Sequence, residues 1–204
     1  MTGPADLTLS ETVERAEQLL LDERDAENLK FVEDAIERFP QDPEVRLLYG
    51  TALVPFRPEE APWQLATAIK LDMDNPWRLT RAACLLFDLG EVEASRSYAA
   101  RAVQFAPDKF SLEAVLTNLG GRLAALQGDD ALAEEALRAA VESEPLRASY
   151  ARDLARFLAD QERPAEALDV IDRALRLTST TSYPRDYGDR QRLLQLRGEI
   201  VPDK

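Results

Sequence analysis

The sequence predicts an all-α fold in which pairs of helices repeat along the chain. The first observation behind this prediction is an alanine followed by an aliphatic residue, which recurs at Ala35, Ala68, Ala102, Ala140 and Ala174. Successive alanines are 33, 34, 38 and 34 residues apart, a period typical of stacked helical repeats. The second observation is composition, since only 8 glycines in 204 residues and few β-branched runs favour helices.

The third observation is a proline at a fixed distance after the alanines. Pro40, Pro107 and Pro145 each follow their alanine by five residues, where proline ends a helix because it lacks an N–H. Pro76 comes three residues later than this rule, and Ser179 stands in place of the last proline. These positions predict where each repeat ends.

Small residues recur 18 or 19 residues before the alanines, and a leucine or alanine follows three residues after each. The small residues are Ala16, Gly50, Ala83, Gly121 and Ala155, and the residues that follow them are Leu19, Leu53, Leu86, Ala124 and Leu158. Small side chains at both recurring points allow two helices to approach closely, and the larger ones fill the space beside them. We therefore expect a close contact inside each helix pair.

Eleven helices follow in order from these signals. Thr8-Leu-Ser-Glu11 predicts a capping box that opens the first helix, Gly90 and Gly128 predict turns inside pairs, and Pro164 suits a first-turn position. The four extra residues of the 38-residue step come after Pro107 and predict a seventh helix about one turn longer. The predicted ranges are 9–22, 25–38, 43–54, 59–71, 76–89, 91–105, 109–127, 129–142, 147–160, 164–177 and 189–200.

The repeated pattern resembles the tetratricopeptide repeat (TPR), a 34-residue helix–turn–helix unit. The resemblance covers about residues 9–178, with the segment from Asn118 to Pro145 as its best match. Two further family positions recur once in each of the five repeats. The first is occupied by Asn28, Ala61, Ser95, Ala133 and Ala167, and the second by Val32, Leu65, Ala99, Leu137 and Ile171. The resemblance implies a right-handed α-α superhelix, or solenoid, of about five helix pairs with a C-terminal capping helix, and it implies a scaffold without catalytic residues.

The predicted organisation has four parts. These are an N-terminal tail at 1–8, an undivided repeat array at 9–178, a polar linker at 179–188 and a capping helix at 189–200. Within the array the repeats span about 9–42, 43–75, 76–109, 110–147 and 148–178. Leu193, Leu196 and Ile200 share one face of the last helix, which would cover the open end of the array.

Charge and composition exclude several classes of function. The net charge is −13, and residues 1–75 hold 17 acidic against 7 basic side chains, so this part should repel nucleic acid and anionic membranes. Cys84 is the only cysteine, which excludes an internal disulfide, and no stretch is apolar enough to cross a membrane. We expect a cytoplasmic protein, with a removed leader as the open alternative. The 21 arginines against 4 lysines and the abundant alanine are typical of a GC-rich bacterial gene.

Residues for catalysis or a metal centre are scarce. The chain has no histidine, the usual general base near neutral pH, and Cys84 therefore has none to activate it. Asp72 and Asp74 form a weak candidate for a metal pair, which we interpret as helix-capping acids. The adjacent glutamates at 59–60 and 134–135 do not share a helical face and are interpreted as solvated. We predict no enzyme, no cofactor and no metal.

The resemblance implies a binding groove along the first helix of each pair. In the first three repeats its stripe of residues includes Glu17, Glu44, Leu47 and Thr80, and toward the fifth repeat it becomes basic. The candidate residues for binding a peptide are Trp77, Arg81, Cys84, Phe87, Asn118, Arg122, Arg152 and Arg156.

The first functional hypothesis is a scaffold that binds a peptide or helix of a protein partner in this groove. An apolar side chain would rest on Trp77 and Phe87, and acidic residues would meet the three arginines of the fourth and fifth repeats, because the planar arginine fork binds carboxylates through two hydrogen bonds. The alternative for the arginines is internal pairing with acids such as Asp153 and Asp160, and the alternative for Trp77 is packing between repeats. No nucleic acid or membrane partner is expected.

The second hypothesis is self-association or a chaperone-like role in assembly. A homodimer, or a holder of an apolar partner, needs an exposed apolar patch at an end of the array. The first two helices and residues 189–200 are the segments where we expect such a patch.

Overall fold

The computed structural model of the protein describes residues 7–106, 110–178 and 184–200, and all regular structure in these ranges is α-helical. The predicted all-α fold is therefore confirmed, with five helix pairs and a final helix in the described residues. The helices are α1 (Leu9–Leu21), α2 (Asp25–Arg38), α3 (Pro43–Leu53), α4 (Ala61–Leu71), α5 (Pro76–Asp88), α6 (Val92–Phe105), α7 (Phe110–Leu126), α8 (Asp130–Ser143), α9 (Ala148–Asp160), α10 (Pro164–Leu177) and α11 (Pro184–Ile200).

The chain divides into two compact units. Unit 1 is Met1–Lys109 and contains α1 to α6, and unit 2 is Phe110–Lys204 and contains α7 to α11. We predicted an undivided array, and the boundary between the two units falls within the enlarged 38-residue step. The predicted lengthening of the seventh helix is confirmed, since α7 has 17 residues against 11 to 14 in α1 to α6.

The recurring small residues lie at the contacts inside helix pairs, as expected. The five recurring alanines are buried, and so are Ala16, Ala83 and Ala155. At Gly121 a Cβ atom would lie 2.8 Å from Leu137 Cγ and 3.1 Å from the carbonyl oxygen of Ala133, so α7 and α8 are too close there for any side chain. Close backbone packing is thus the physical reason for the repeated pattern.

Four of the five pairs are joined by the same turn. The residue after the C-cap of the first helix has a positive φ, at Glu23 (55°), Gly90 (82°), Gly128 (76°) and Glu162 (58°). The next N–H donates at 2.8 to 3.1 Å to the carbonyl five residues earlier, which belongs to Leu19, Leu86, Ala124 and Leu158. This is the Schellman ending of a helix. The sequence predicted it at the two glycines but not at the two glutamates.

The helix starts follow from their capping residues. The predicted capping box is present, because the N–H of Thr8 donates to Glu11 Oε2 at 2.8 Å and the N–H of Glu11 donates to Thr8 Oγ1 at 3.4 Å. The final helix begins at Pro184, five residues earlier than the predicted start at 189. Proline suits this first-turn position because the first helical N–H groups have no partner in the helix.

The final helix packs on α9 and α10 within unit 2. Leu193 and Leu196 are buried there in one cluster with Leu154 and Leu158, and Ile200 packs against its edge. The predicted capping helix therefore completes the core of unit 2. None of the described helices combines the length and the apolar character that a membrane crossing requires.

Candidate functional site

The four candidate residues of the third repeat lie on α5 in unit 1. Trp77 is 54% exposed in the first turn, where its backbone N–H donates to Asn75 Oδ1 at 3.1 Å. Arg81 follows one turn later, and Cys84 and Phe87, both partly buried, follow at further turns. This spacing places the four side chains along one side of α5.

Arg81 is engaged in an ion network that joins three helices. Its Nη1 lies 2.9 Å from Glu44 Oε1 on α3 and 3.5 Å from Glu17 Oε1 on α1. Arg78 donates from Nε to the other oxygen of Glu44 at 3.0 Å and also binds Asp72. The acidic stripe of the first two repeats is thus neutralised from α5. Arg78 was missed by the sequence analysis, although it follows Glu44 by one repeat length of 34 residues.

The candidate metal pair gains no support from its surroundings. Asp72 binds Arg78, as described above. In the described ranges, histidine, cysteine, aspartate and glutamate form no group of three or more that could hold a metal ion.

One row of the predicted groove is buried rather than open. Leu47, Thr80 and Asn118 occupy the same place on α3, α5 and α7, and all three are buried. The first helices of neighbouring pairs pack on one another, α3 on α5 and α7 on α9, which explains the burial. Asn118 is 4% exposed and its Nδ2 has no hydrogen-bond partner among the described residues, so this candidate residue is not on an accessible surface.

The arginines of unit 2 pair with acids of the same unit. Asp153 on α9 lies between Arg122 and Arg152, 3.7 Å from Arg122 Nε through Oδ2 and 3.3 Å from Arg152 Nη2 through Oδ1. The side chain of Asp153 is largely buried. The internal pairing weighed against ligand binding is therefore present for these two arginines, with Asp153 as the partner.

The arginines of α9 also face the final helix. Arg152 Nη1 lies 4.0 Å from Asp189 Oδ1, and Arg156 Nη2 lies 3.4 Å from Glu199 Oε2. The side chains of Arg156 and Glu199 are 57% and 47% exposed, so this pair is at the surface. We call these four residues the α9–α11 face. The sequence placed the arginines but did not indicate that α11 would bring acids to them.

A second ion network of unit 2 was not foreseen from the sequence. Glu134 and Arg138 of α8 meet Arg163, the N-cap of α10, and Glu166 of its first turn, and we call these four residues the α8–α10 ion cluster. Arg163 binds both oxygens of Glu134 at 2.6 and 2.9 Å, and Arg138 Nη2 lies 2.7 Å from Glu134 and 3.2 Å from Glu166. Arg163 first, and Arg138 second, lower the pKa of Glu134 to about 2.

The cluster corrects the interpretation of Glu134 as a simply solvated residue. A signal was present in the sequence, because Glu134 and Arg138 are four residues apart on one helix, and Arg163 and Glu166 are three apart. What the sequence did not show is that the two pairs would join across two helices.

Comparison with known proteins identifies solved structures that share this fold. No protein-family model and no curated protein sequence matches the chain. Among solved structures, a TPR protein of Thermus thermophilus, TTC0263, is similar with a TM-score of 0.69 and 21% identity over 91% of this chain and 98% of its own. PilW, a type IV pilus biogenesis factor, has a TM-score of 0.69 and 15% identity, covering 96% of this chain and 94% of its own.

A third similar structure is a chain of the Cut9–Hcn1 hetero-tetramer, with a TM-score of 0.66 and 14% identity over 95% of this chain and 40% of that one. Identities at this level establish the fold alone. Together with the repeat positions and the eleven described helices, they show that this chain has the fold of the tetratricopeptide-repeat proteins, a class of helical scaffolds for protein–protein interaction.

Proposed function

We propose that the protein is a non-catalytic scaffold that binds an acidic segment of a partner protein on the α9–α11 face of unit 2. The observation that carries the proposal is the exposed pair of Arg156 and Glu199. Its 3.4 Å contact joins two side chains that are each about half exposed. Such a surface pair contributes only about 0–1 kcal/mol, so a partner carboxylate could replace Glu199 at small cost.

The neighbouring residues support Arg156 as the binding residue. Arg152 and Arg122 are less exposed and share Asp153, so internal pairing holds them and leaves Arg156 as the accessible arginine of the three. A carboxylate that approached Arg156 would accept charge-assisted hydrogen bonds from its guanidinium. The fold adds support, because the similar chain in the Cut9–Hcn1 complex assembles with a different protein.

Unit 1 offers a separate candidate contact for an apolar side chain. Trp77 is exposed on α5, and Phe87 lies partly exposed on the same helix. A large exposed aromatic side chain is a frequent anchor for a partner at protein interfaces. Because Arg81 is already bound to Glu44 and Glu17, we assign the binding role in this unit to Trp77 rather than to Arg81.

The test begins with selection of peptides from a random displayed library against the full-length protein. We expect the selected peptides to be enriched in Asp and Glu, and Arg156→Glu to weaken their binding about tenfold or more, since a hydrogen bond to a charged group contributes roughly 1.5–3 kcal/mol. Trp77→Ala should separately weaken peptides that carry a large apolar residue.

The matched control is Arg96→Glu, which makes the same charge change at an exposed arginine of α6 that also takes part in a surface ion pair, with Glu93. Peptides without acidic enrichment, or equal losses in the two arginine variants, would remove the support for the α9–α11 face. An acidic preference that persists in Arg156→Glu would place the binding elsewhere on the protein.

The second hypothesis, self-association, finds less support in the described residues. The apolar side of residues 189–200 is used inside unit 2, where Leu193 and Leu196 are buried. Leu193→Asp would therefore test the stability of the unit rather than a dimer contact. Light scattering on the unchanged protein over a range of concentrations remains the direct measurement of a homodimer. The cytoplasm remains our predicted location.

A further inference from the structure

Unit 2 contains a pocket on the opposite side of α9 from Arg152 and Arg156. Side chains from α8, α9 and α10 line an open pocket with a volume of about 80 Å³. Its apolar lining includes Val141, Ala151, Leu154, Val170, Ala174 and Leu177. Ala151, Leu154 and Ala174 are buried and form the floor, whereas Leu177 is partly exposed at the rim.

The size and lining select the kind of group that would fill this pocket. A single water needs only about 10–15 Å³ of such space, so the pocket can take a larger group, such as one branched aliphatic side chain. Water gains little there, because the aliphatic lining offers it few hydrogen bonds. An isobutyl group therefore suits the pocket better than solvent does.

The rim carries two arginines, of which one is free to bind. Arg138 belongs to the α8–α10 ion cluster, where Glu134 and Glu166 use its guanidinium. Arg173 is exposed on α10 and has no ion pair or hydrogen bond with any residue that the structure describes. It stands beside Ala174 and one turn from both Val170 and Leu177, so its side chain borders the apolar opening on the α10 side.

Glu142 is the acid of the rim. It is exposed in the last turn of α8 and likewise pairs with no described residue. Two of the three charged residues around the pocket are thus arginines, and the free one has the planar fork that binds a carboxylate through two hydrogen bonds.

From this arrangement we infer that the pocket is a docking site for one leucine-type side chain of a partner polypeptide, with a carboxylate beside that side chain bound by Arg173. The site is separate from the α9–α11 face, because Ala151 and Leu154 point from α9 toward α8 and α10, whereas Arg152 and Arg156 meet α11. The inference stands whether or not the α9–α11 face binds a partner.

The probe for the test is N-acetyl-L-leucine, which combines an isobutyl group with a carboxylate. Methyl-labelled full-length protein is titrated with it and followed by NMR. We expect saturable shifts of the methyl signals of Val141, Leu154, Val170 and Leu177 in the millimolar range, as suits so small a ligand. N-acetylglycine, which lacks the isobutyl group, should leave these signals in place.

Two exposed substitutions should act in opposite directions. Arg173→Gln removes the cation that binds the carboxylate and should weaken the binding of N-acetyl-L-leucine several-fold. Glu142→Gln removes a repelling carboxylate and should strengthen that binding. N-acetyl-L-leucinamide is neutral and should bind equally to both variants and to the unchanged protein. The absence of saturable shifts at these methyl groups, or an unchanged affinity of the acid in Arg173→Gln, would overturn the inference.

Discussion

Gly120 and Gly121 are neighbours in α7 with opposite surroundings. A Cβ atom at Gly120 would have no atom within 4 Å, whereas one at Gly121 would meet Leu137 and the backbone of Ala133. Gly121→Ala should therefore lower the free energy of unfolding by about 1–3 kcal/mol through overpacking. Gly120→Ala, the matched control, should raise it by roughly 0.5–1 kcal/mol, because alanine favours a helix. Urea unfolding followed by circular dichroism measures both, and equal effects would contradict the close contact of α7 and α8.

The turn between α9 and α10 holds a second test at this scale. Glu162 adopts a φ of 58°, which costs an L-residue free energy that glycine does not lose. Glu162→Gly should raise the free energy of unfolding by about 0.5–1 kcal/mol, as measured by urea unfolding. Glu162→Gln keeps the strained backbone and removes only the charge, so it should leave stability nearly unchanged. A stabilised Gln variant would assign the effect to charge instead.

Sequence reasoning was accurate for residues whose role depends on local spacing. The recurring alanines and small residues are buried where the pattern placed them, because a helix period determines which side a residue occupies. It was inaccurate for Asn118, which it assigned to an open groove. Whether that side of α7 meets solvent or α9 depends on the packing of a helix 30 residues further along the chain, which spacing cannot show.

Between α8 and α10, the ion cluster makes the packing of two helices dependent on pH. Since the pKa of Glu134 is lowered to about 2 in the folded protein, its contribution to stability is present above the pKa of the unfolded chain, near 4.3. The contribution is lost as pH falls from about 4.3 toward about 2. The pKa of Glu166 is lowered as well, chiefly by Arg163, so it acts in the same direction.

Glu134→Gln should make this dependence visible. At pH 7 we expect it to lower the free energy of unfolding by about 1 kcal/mol or less, because the cluster is near the surface and solvent screens it. The difference from the unchanged protein should shrink as the pH is lowered to about 3, in urea unfolding at both pH values. Glu135→Gln is the control, since Glu135 is exposed beside it and pairs with no described residue. A loss of equal size at both pH values would contradict the role of the charge.

At the scale of helices, the predicted bounds agree with the structure to within one or two residues for α1 to α10. Prolines, glycines and capping residues mark these ends, and each acts through the backbone of its own helix. The start of α11 was placed five residues too late, because the polar sequence before residue 189 was interpreted as a linker although Pro184 is a good first-turn residue.

Across the whole molecule, the excess of acidic residues and the accessible arginines of the two candidate sites lie in different parts of the chain. The acidic excess lies in the N-terminal third, yet Arg78 and Arg81 of α5 neutralise part of it within unit 1. The cations left accessible in the two candidate sites, Arg156 and Arg173, belong to unit 2. The two tests of carboxylate binding therefore both concern unit 2, one through Arg156 and the other through Arg173.

The fold class, the helix order and the close contacts inside pairs could be predicted from the sequence, because each depends on residues a few turns apart. Which charges are free depends instead on contacts between repeats. Arg122 and Arg152 pair with Asp153, Arg81 with Glu44, and Arg156 meets Glu199 only because α11 folds against α9. An ion pair forms between side chains that are neighbours in space, and in a stacked array those neighbours come from different repeats.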